Sequence, residues 1–357
     1  MNPQLIGFVP SAGKAMDVVI DKVTGLIYVA SADFGLSVID VVNPNYPVAI
    51  GATVPSFYGE HVATSESIAV VTGNNLGIKI INISNKTKPQ IVGLLNGTMK
   101  SVAMAGQFAY VLEVVPGNPS HTDLIIVNLI VPSTPTITGR VTLGSGMGTD
   151  VKVVGSLAYV SVGSSGFQIV DISNSTDPKI IGSVDTPGTA YAVEVANGYA
   201  YIADSTSVQI VNVINPINPF IVTSIVMPST NVAVAGSQLY VIGGSLLKII
   251  NISNPSVPQI LSTSNSYDAQ GIDANSSFVF LATPALAHSD PLGGVHILDV
   301  SDSYNVKNLK DIVVPGTTRT ILSIDDYVYA GDSASIIDII ELVCPEIIVN
   351  FEITVNQ

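Results

Sequence analysis

The chain of 357 residues is 47% hydrophobic but only 11% charged, and its formal charge is −14, with 13 basic residues against 27 acidic ones. The longest nearly apolar run, 124–131, is interrupted by Asn128 and stopped by Pro132, well short of the roughly 18 apolar residues a membrane-spanning helix needs. Lys and Arg form no stripe able to neutralise phosphates, which argues against nucleic acid as a partner, and the single cysteine, Cys344, can close no internal disulfide or cysteine-based metal site.

Taken from the N-terminus, 4–9 reads as a lone strand. Behind it a block recurs eight times: alternating β-branched and apolar residues, an Asp or Asn, and a closing residue seven positions later. The Asx residues are Asp40, Asn82, Asn128, Asp171, Asn212, Asn251, Asp299 and Asp338, 39 to 48 residues apart. The closing residues are Pro47, Pro89, Pro135, Pro178, Pro219, Pro258, Val306 and Pro345, so only the seventh copy lacks its proline. Each copy reads as four short strands; in the fourth they run over 151–154, 157–162, 167–172 and 179–184. Longer loops are expected over about 113–123 in the third copy and about 283–294 in the seventh. A final apolar alternation of Ile347, Ile348, Val349, Phe351, Ile353 and Val355 follows the eighth.

Four strands in a period of about 40–45 residues are the pattern of a propeller blade. No long segment has helical periodicity, and one blade alone exposes both sheet faces, so the copies must stack to bury their Val and Ile side chains. The expected fold is all-β: an eight-bladed β-propeller of four-stranded blades, with seven blades as the alternative. The segments Leu36-Ser37-Val38-Ile39-Asp40-Val41-Val42-Asn43-Pro44, Phe167-Gln168-Ile169-Val170-Asp171-Ile172-Ser173-Asn174 and Val208-Gln209-Ile210-Val211-Asn212-Val213 resemble the LVIVD repeat of bacterial and archaeal surface or secreted propellers. The resemblance extends over nearly the whole chain. It implies a scaffold with an extracellular or cell-surface location more than it implies a reaction.

Nine segments are candidates for a fourth strand, and eight blades need only eight. The expected domain is 1–345, with the N-terminal strand closing the last blade. Residues 346–357 are then surplus, either a linker to a further domain or a strand that adds to another subunit. In a third arrangement they take the place of the N-terminal strand.

In a four-stranded blade, the loop into the next blade shares a face with the loop between strands two and three, and this is the usual binding face. Asp17, His61, Ser101, Asp150, Ala192, Asn231, Gly271 and Thr320 fall at one level of the channel wall there. Met16, Glu60, Lys100, Thr149, Tyr191, Thr230, Gln270 and Arg319 precede them by one residue. The candidate ligand-binding mouth is therefore Asp17, Glu60, His61, Lys100, Asp150, Tyr191, Asn231, Gln270 and Arg319, although strands that line water are polar for structural reasons alone.

The two longer loops carry His121-Thr122-Asp123 and His288-Ser289-Asp290. Two ligands each are too few for zinc, which takes three or four, so His121, Asp123, His288 and Asp290 read as recognition residues. His296 reads as a packed or edge residue. Asn265, Asp268, Asp273 and Asn275 match no calcium loop, and no nucleophile elbow, phosphate loop or dinucleotide fingerprint is present. No catalytic residue, metal or cofactor is expected. The eight Asx residues read as turn caps, needed once per blade whatever the protein does. Asn85, Asn96, Asn174 and Asn275 read as exposed N-glycosylation sequons.

The sequence points to a non-catalytic extracellular propeller, a structural, assembly or protein-interaction module that associates with other proteins or with copies of itself through its C-terminal strand. The alternative is a propeller that binds a surface glycan or small ligand, or hydrolyses it, at the channel mouth.

Overall fold

Strand residues that are apolar on both faces, such as Ile27, Tyr28 and Val29 or Ile125, Ile126 and Val127, all buried, require a neighbouring sheet on each side. In the computed structural model, every blade meets that requirement by standing between two others. The structure describes residues 2–342 except 12, 33, 54–56, 74, 118–119, 285–292 and 335. Eight antiparallel four-stranded sheets form a closed ring, with no helix among the described residues. Blades 1 to 7 span 15–52, 61–95, 99–144, 150–184, 190–226, 231–265 and 271–314, and blade 8 combines 318–341 with the N-terminal strand Gln4–Pro10. That strand runs antiparallel to Ile336–Glu341 and takes the outer place in the sheet. First strands line the central channel, and an apolar cluster fills each junction; Val9, Val18, Ile27, Ile39, Ile337 and Ile339 join blade 8 to blade 1.

The Asx caps act as expected in seven blades. Asp40, Asn82, Asn128, Asp171, Asn212, Asn251 and Asp299 each end a third strand, and each Oδ1 accepts the N–H two residues on at 2.8–3.0 Å. The turn that follows carries its proline onto the outer strand of the preceding blade. That outer strand bulges at the contact and, in blades 1 to 4, has a glycine there. A Cβ on Gly51, Gly93, Gly139 or Gly182 would stand 2.2–2.4 Å from a carbonyl oxygen of the next blade's turn and 2.7–3.1 Å from the Cδ of Pro89, Pro135, Pro178 or Pro219.

Two expectations are corrected. In blade 8 the register position of the Asx caps is held by Glu341, opposite Tyr327 as Asp40 is opposite Leu26. Asp338 lies inside the strand instead, opposite Ala330 and Phe8 and 1% exposed. Burial of Ile337, Ile339 and Ile340 sets this register, and the seven-residue spacing from Asp338 to Pro345 is coincidental. The loop expected over 113–123 is mostly strand. Phe108–Val115 and His121–Asn128 pair along their length, because Val114, Val115 and Thr122 continue the β pattern past the charges of Glu113 and Asp123. The seventh-copy loop with His288 and Asp290, and the strand expected over 347–355, lie outside the described residues.

Burial, helped by the neighbouring Asp332 carboxylate, raises Asp338 to about 7 from an ordinary value of 3.8. A carboxyl raised by folding stabilises the fold while protonated, so its contribution is complete below about pH 4 and is lost as the pH climbs through 7. Each pKa unit corresponds to about 1.4 kcal/mol, which puts the ionised group at a cost on the order of 4 kcal/mol. Asp338→Asn is expected to raise Tm by about 5 °C at pH 8 and to have little effect at pH 4, as thermal melts across that range will show. Gly182→Ala is expected to destabilise by about 1–3 kcal/mol through overpacking in denaturant titration. Gly155→Ala, at a turn glycine whose Cβ would meet nothing within 4 Å, carries only the left-handed backbone penalty of about 1–2 kcal/mol.

Candidate functional site

The first strands bring the channel-wall residues to one level, and there several of them bond to the ring itself. Asp17 accepts the Val18 N–H at 2.9 Å through Oδ1 and the Val62 N–H of blade 2 at 3.0 Å through Oδ2. Asp150 accepts the Val193 N–H of blade 5 at 3.1 Å. Asn231 turns its Oδ1 onto the adjacent Val232 N–H at 2.9 Å. Threonines repeat the tie: Thr72 Oγ1 donates to the Lys100 carbonyl at 3.1 Å, and Thr149 Oγ1 to the Ala190 carbonyl at 2.9 Å. A carboxylate or hydroxyl at these positions therefore fastens its blade to the next, and charge-assisted bonds of this kind are the stronger ones.

Around these ties the wall carries an electrostatic group. His61 Nδ1 is 3.7 Å from Asp17 Oδ2. Burial pulls the imidazole down, but Asp17, Glu60 and Asp150 outweigh it and hold His61 above its ordinary 6.5. Two residues beyond Asp150 on the same strand face, Lys152 Nζ lies 2.9 Å from Glu194 Oε1 of blade 5. Burial opposes the Lys152 charge, and the carboxylates of Asp150, Glu194 and Asp17 overcome it and raise its pKa. Sequence reading missed Lys152 and Glu194, although they follow Asp150 and Ala192 by two residues, the period of one strand face. Tyr191 and Gln270 stand exposed at the rim, and Lys100 is half-buried.

Arg319 lines a different part of the mouth. It shares a cleft of about 250 Å³ between blades 8 and 1 with Lys14, Met16, Tyr58, Thr317 and Ser333. Lys14 and Tyr58 lie between strands, where no periodic pattern marks them.

The His121-x-Asp123 tripeptide does not form an open recognition loop. Asp123 is 3% exposed and directly opposite Glu113 on the neighbouring strand, a like-charge pair that would destabilise the hairpin if left alone. Arg140 neutralises it: one Nη1 is 2.5 Å from Asp123 Oδ2 and 2.6 Å from Glu113 Oε2. His121 Nε2 lies 3.6 Å from Asp123 Oδ1. His296 is packed, stacked on Tyr267 with ring centroids 3.7 Å apart and its Nδ1 2.7 Å from Asp311. Burial draws its pKa down. Among the described residues, no three His, Cys, Asp or Glu side chains are grouped to hold a metal ion.

The segments 12–53, 59–97, 145–186, 187–226 and 228–266 match the LVIVD repeat, more than half of the chain. The chain belongs to the LVIVD-repeat family. Its matched segments correspond to blades 1, 2, 4, 5 and 6 of the LVIVD propeller. Blade 3 has the lengthened hairpin, blade 7 has Val306 in place of proline, and blade 8 is built from both ends of the chain. Solved propellers are similar in fold. Sqt1 of Saccharomyces cerevisiae superposes with a TM-score of 0.74 at 7% identity, covering 95% of this chain and 99% of that one. For the C-terminal WD40 domain of Sif2 the values are 0.70, 11%, 96% and 99%, and for BamB from Moraxella catarrhalis 0.68, 10%, 96% and 98%. Identities this low establish the fold alone. No curated protein matches the sequence.

The wall group makes a direct prediction for the LVIVD propeller. In an NMR titration His61 is expected to have a pKa above 6.5, and Asp17→Asn is expected to lower it; a His61 at or below that value would show the carboxylates do not govern it.

Proposed function

We propose that this LVIVD propeller is a non-catalytic scaffold, acting outside the cell or on its surface, that holds together other proteins or further copies of itself. One observation carries the reading. Turns between first and second strands, and between third and fourth, emerge on the face opposite the mouth. On that face Val23, Val42, Tyr46, Ile130, Ile214, Ile217, Val257 and Tyr304 are each more than 60% exposed. They are distributed over five of the eight blades, so this face offers a partner several apolar contact points around the ring.

Clefts of about 730 Å³ and 610 Å³ open on the same face, between blades 2 and 3 and between blades 8 and 1. The third strand of blade 8 also runs out on this face, where the Leu342 N–H bonds the Asp326 carbonyl. The apolar residues Ile347, Ile348, Val349, Phe351, Ile353 and Val355 follow in sequence and are the contact element of the proposal, adding as a strand to a second copy. A role without chemistry is supported by the channel wall, where Asp17, Asp150 and the Lys152–Glu194 pair are engaged with neighbouring blades. The surface location is supported by the family resemblance and by a charge-poor composition with exposed sequons at Asn85 and Asn174.

Sedimentation of the full chain is expected to show self-association, and removal of 346–357 to return the protein to monomers. Indistinguishable sedimentation of the two forms would overturn the assembly reading.

A further inference from the structure

The two arginines of the chain have opposite surroundings. Arg140 is engaged by two carboxylates. Arg319 is exposed at the channel mouth, in the cleft it shares with exposed Lys14, and neither cation has an ion-pair partner among the described residues. In a chain of net charge −14 with only 13 basic residues, two cations lining one small cleft without an acid are an unbalanced arrangement, and an anion completes it.

From this geometry we propose that the cleft between blades 8 and 1 binds a carboxylate-bearing sugar. Its walls are anchored before any ligand arrives. The Thr317 N–H donates to Ser333 Oγ at 2.9 Å, and the Ser333 N–H returns a bond to the Thr317 carbonyl at 3.0 Å. The Lys14 carbonyl accepts the Ala32 N–H at 2.8 Å. Arg319 offers the planar fork that matches a carboxylate, and Lys14, lining the same cleft, adds a point charge. Tyr58, 37% exposed, supplies a flat apolar face of the kind on which a pyranose ring stacks. The hydroxyls of Thr317 and Ser333 suit sugar hydroxyls.

Volume and field narrow the class further. About 250 Å³ holds one sugar ring. The net charge of −14 on the chain disfavours a polyanion, so the negative charge of the ligand has to be single and local, as in a uronic acid. This site differs from the mouth read from sequence, which joined Arg319 to Glu60, His61, Lys100 and Asp150. It is also independent of the scaffold reading, because it lies on the face opposite the exposed apolar residues.

The test is calorimetry or NMR titration of the full chain with glucuronate, with glucose as the neutral control and with inorganic phosphate and a glutamate peptide as other anions. Glucuronate is expected to bind at low ionic strength and to weaken as salt screens the cations, while glucose does not bind. Arg319→Ala and Lys14→Ala are each expected to weaken binding at least tenfold at unchanged Tm, since both side chains are exposed. Tyr58→Ala is expected to weaken glucuronate but not phosphate. Failure of glucuronate to bind, or binding indifferent to Arg319→Ala and Lys14→Ala, would overturn the site. Phosphate or the glutamate peptide binding as tightly as glucuronate would overturn the sugar assignment.

Discussion

The structure depends on one contact made blade by blade: the turn after each third strand pressed against the outer strand of the blade before it. An Asx side chain closes the turn, a proline stiffens it, and in four successive junctions a glycine leaves the space into which it fits. The contact is heterologous, so it propagates in one direction and must close on itself to leave no open face. Closure is the work of Gln4–Pro10, which supplies blade 8 with its outer strand and meets the turn of blade 1 through Gly7, whose Cβ would come within 3.7 Å of Pro47. Repetition along the sequence and closure in space are two aspects of the same junction.

This explains which parts of the molecule were legible in the sequence. The four strands of the fourth copy are found within a residue or two of where the alternation puts them, because apolar alternation and turn residues are local signals. The seven working Asx caps were equally plain, since each cap acts on a backbone group two residues away. The reading failed where two signals competed. In Ile336–Glu341 the motif's Asx and its proline single out Asp338, and the burial of Ile337, Ile339 and Ile340 puts Glu341 at the cap position instead. Around 113–123 a loop was expected, and the arginine that makes Glu113 and Asp123 acceptable in a sheet stands on the blade's fourth strand, Thr136–Gly144.

The channel mouth was legible in position but not in use. Aligning first strands finds Asp17, His61 and Asp150 at one level, yet a single sequence does not reveal that the carboxylates reach the N–H of Val62 and Val193 in the following blades. A polar channel wall here serves the junctions first. Its titration follows from the same crowding: carboxylates fixed for structural reasons raise the pKa of His61 and of Lys152.

The same scarcity of charge gives the remaining cations their meaning. Where acids and bases are plentiful, surface pairs form readily and contribute little to stability. Here Lys152, Arg140 and Lys179 each meet a carboxylate within 3 Å, so pairing is within reach of the fold. Lys14 and Arg319 line one cleft without such a partner among the described residues, and the Thr317–Ser333 bonds hold one wall of that cleft in place. That cleft sits at the junction between blade 1 and blade 8, the blade whose outer strand comes from the N-terminal segment Gln4–Pro10.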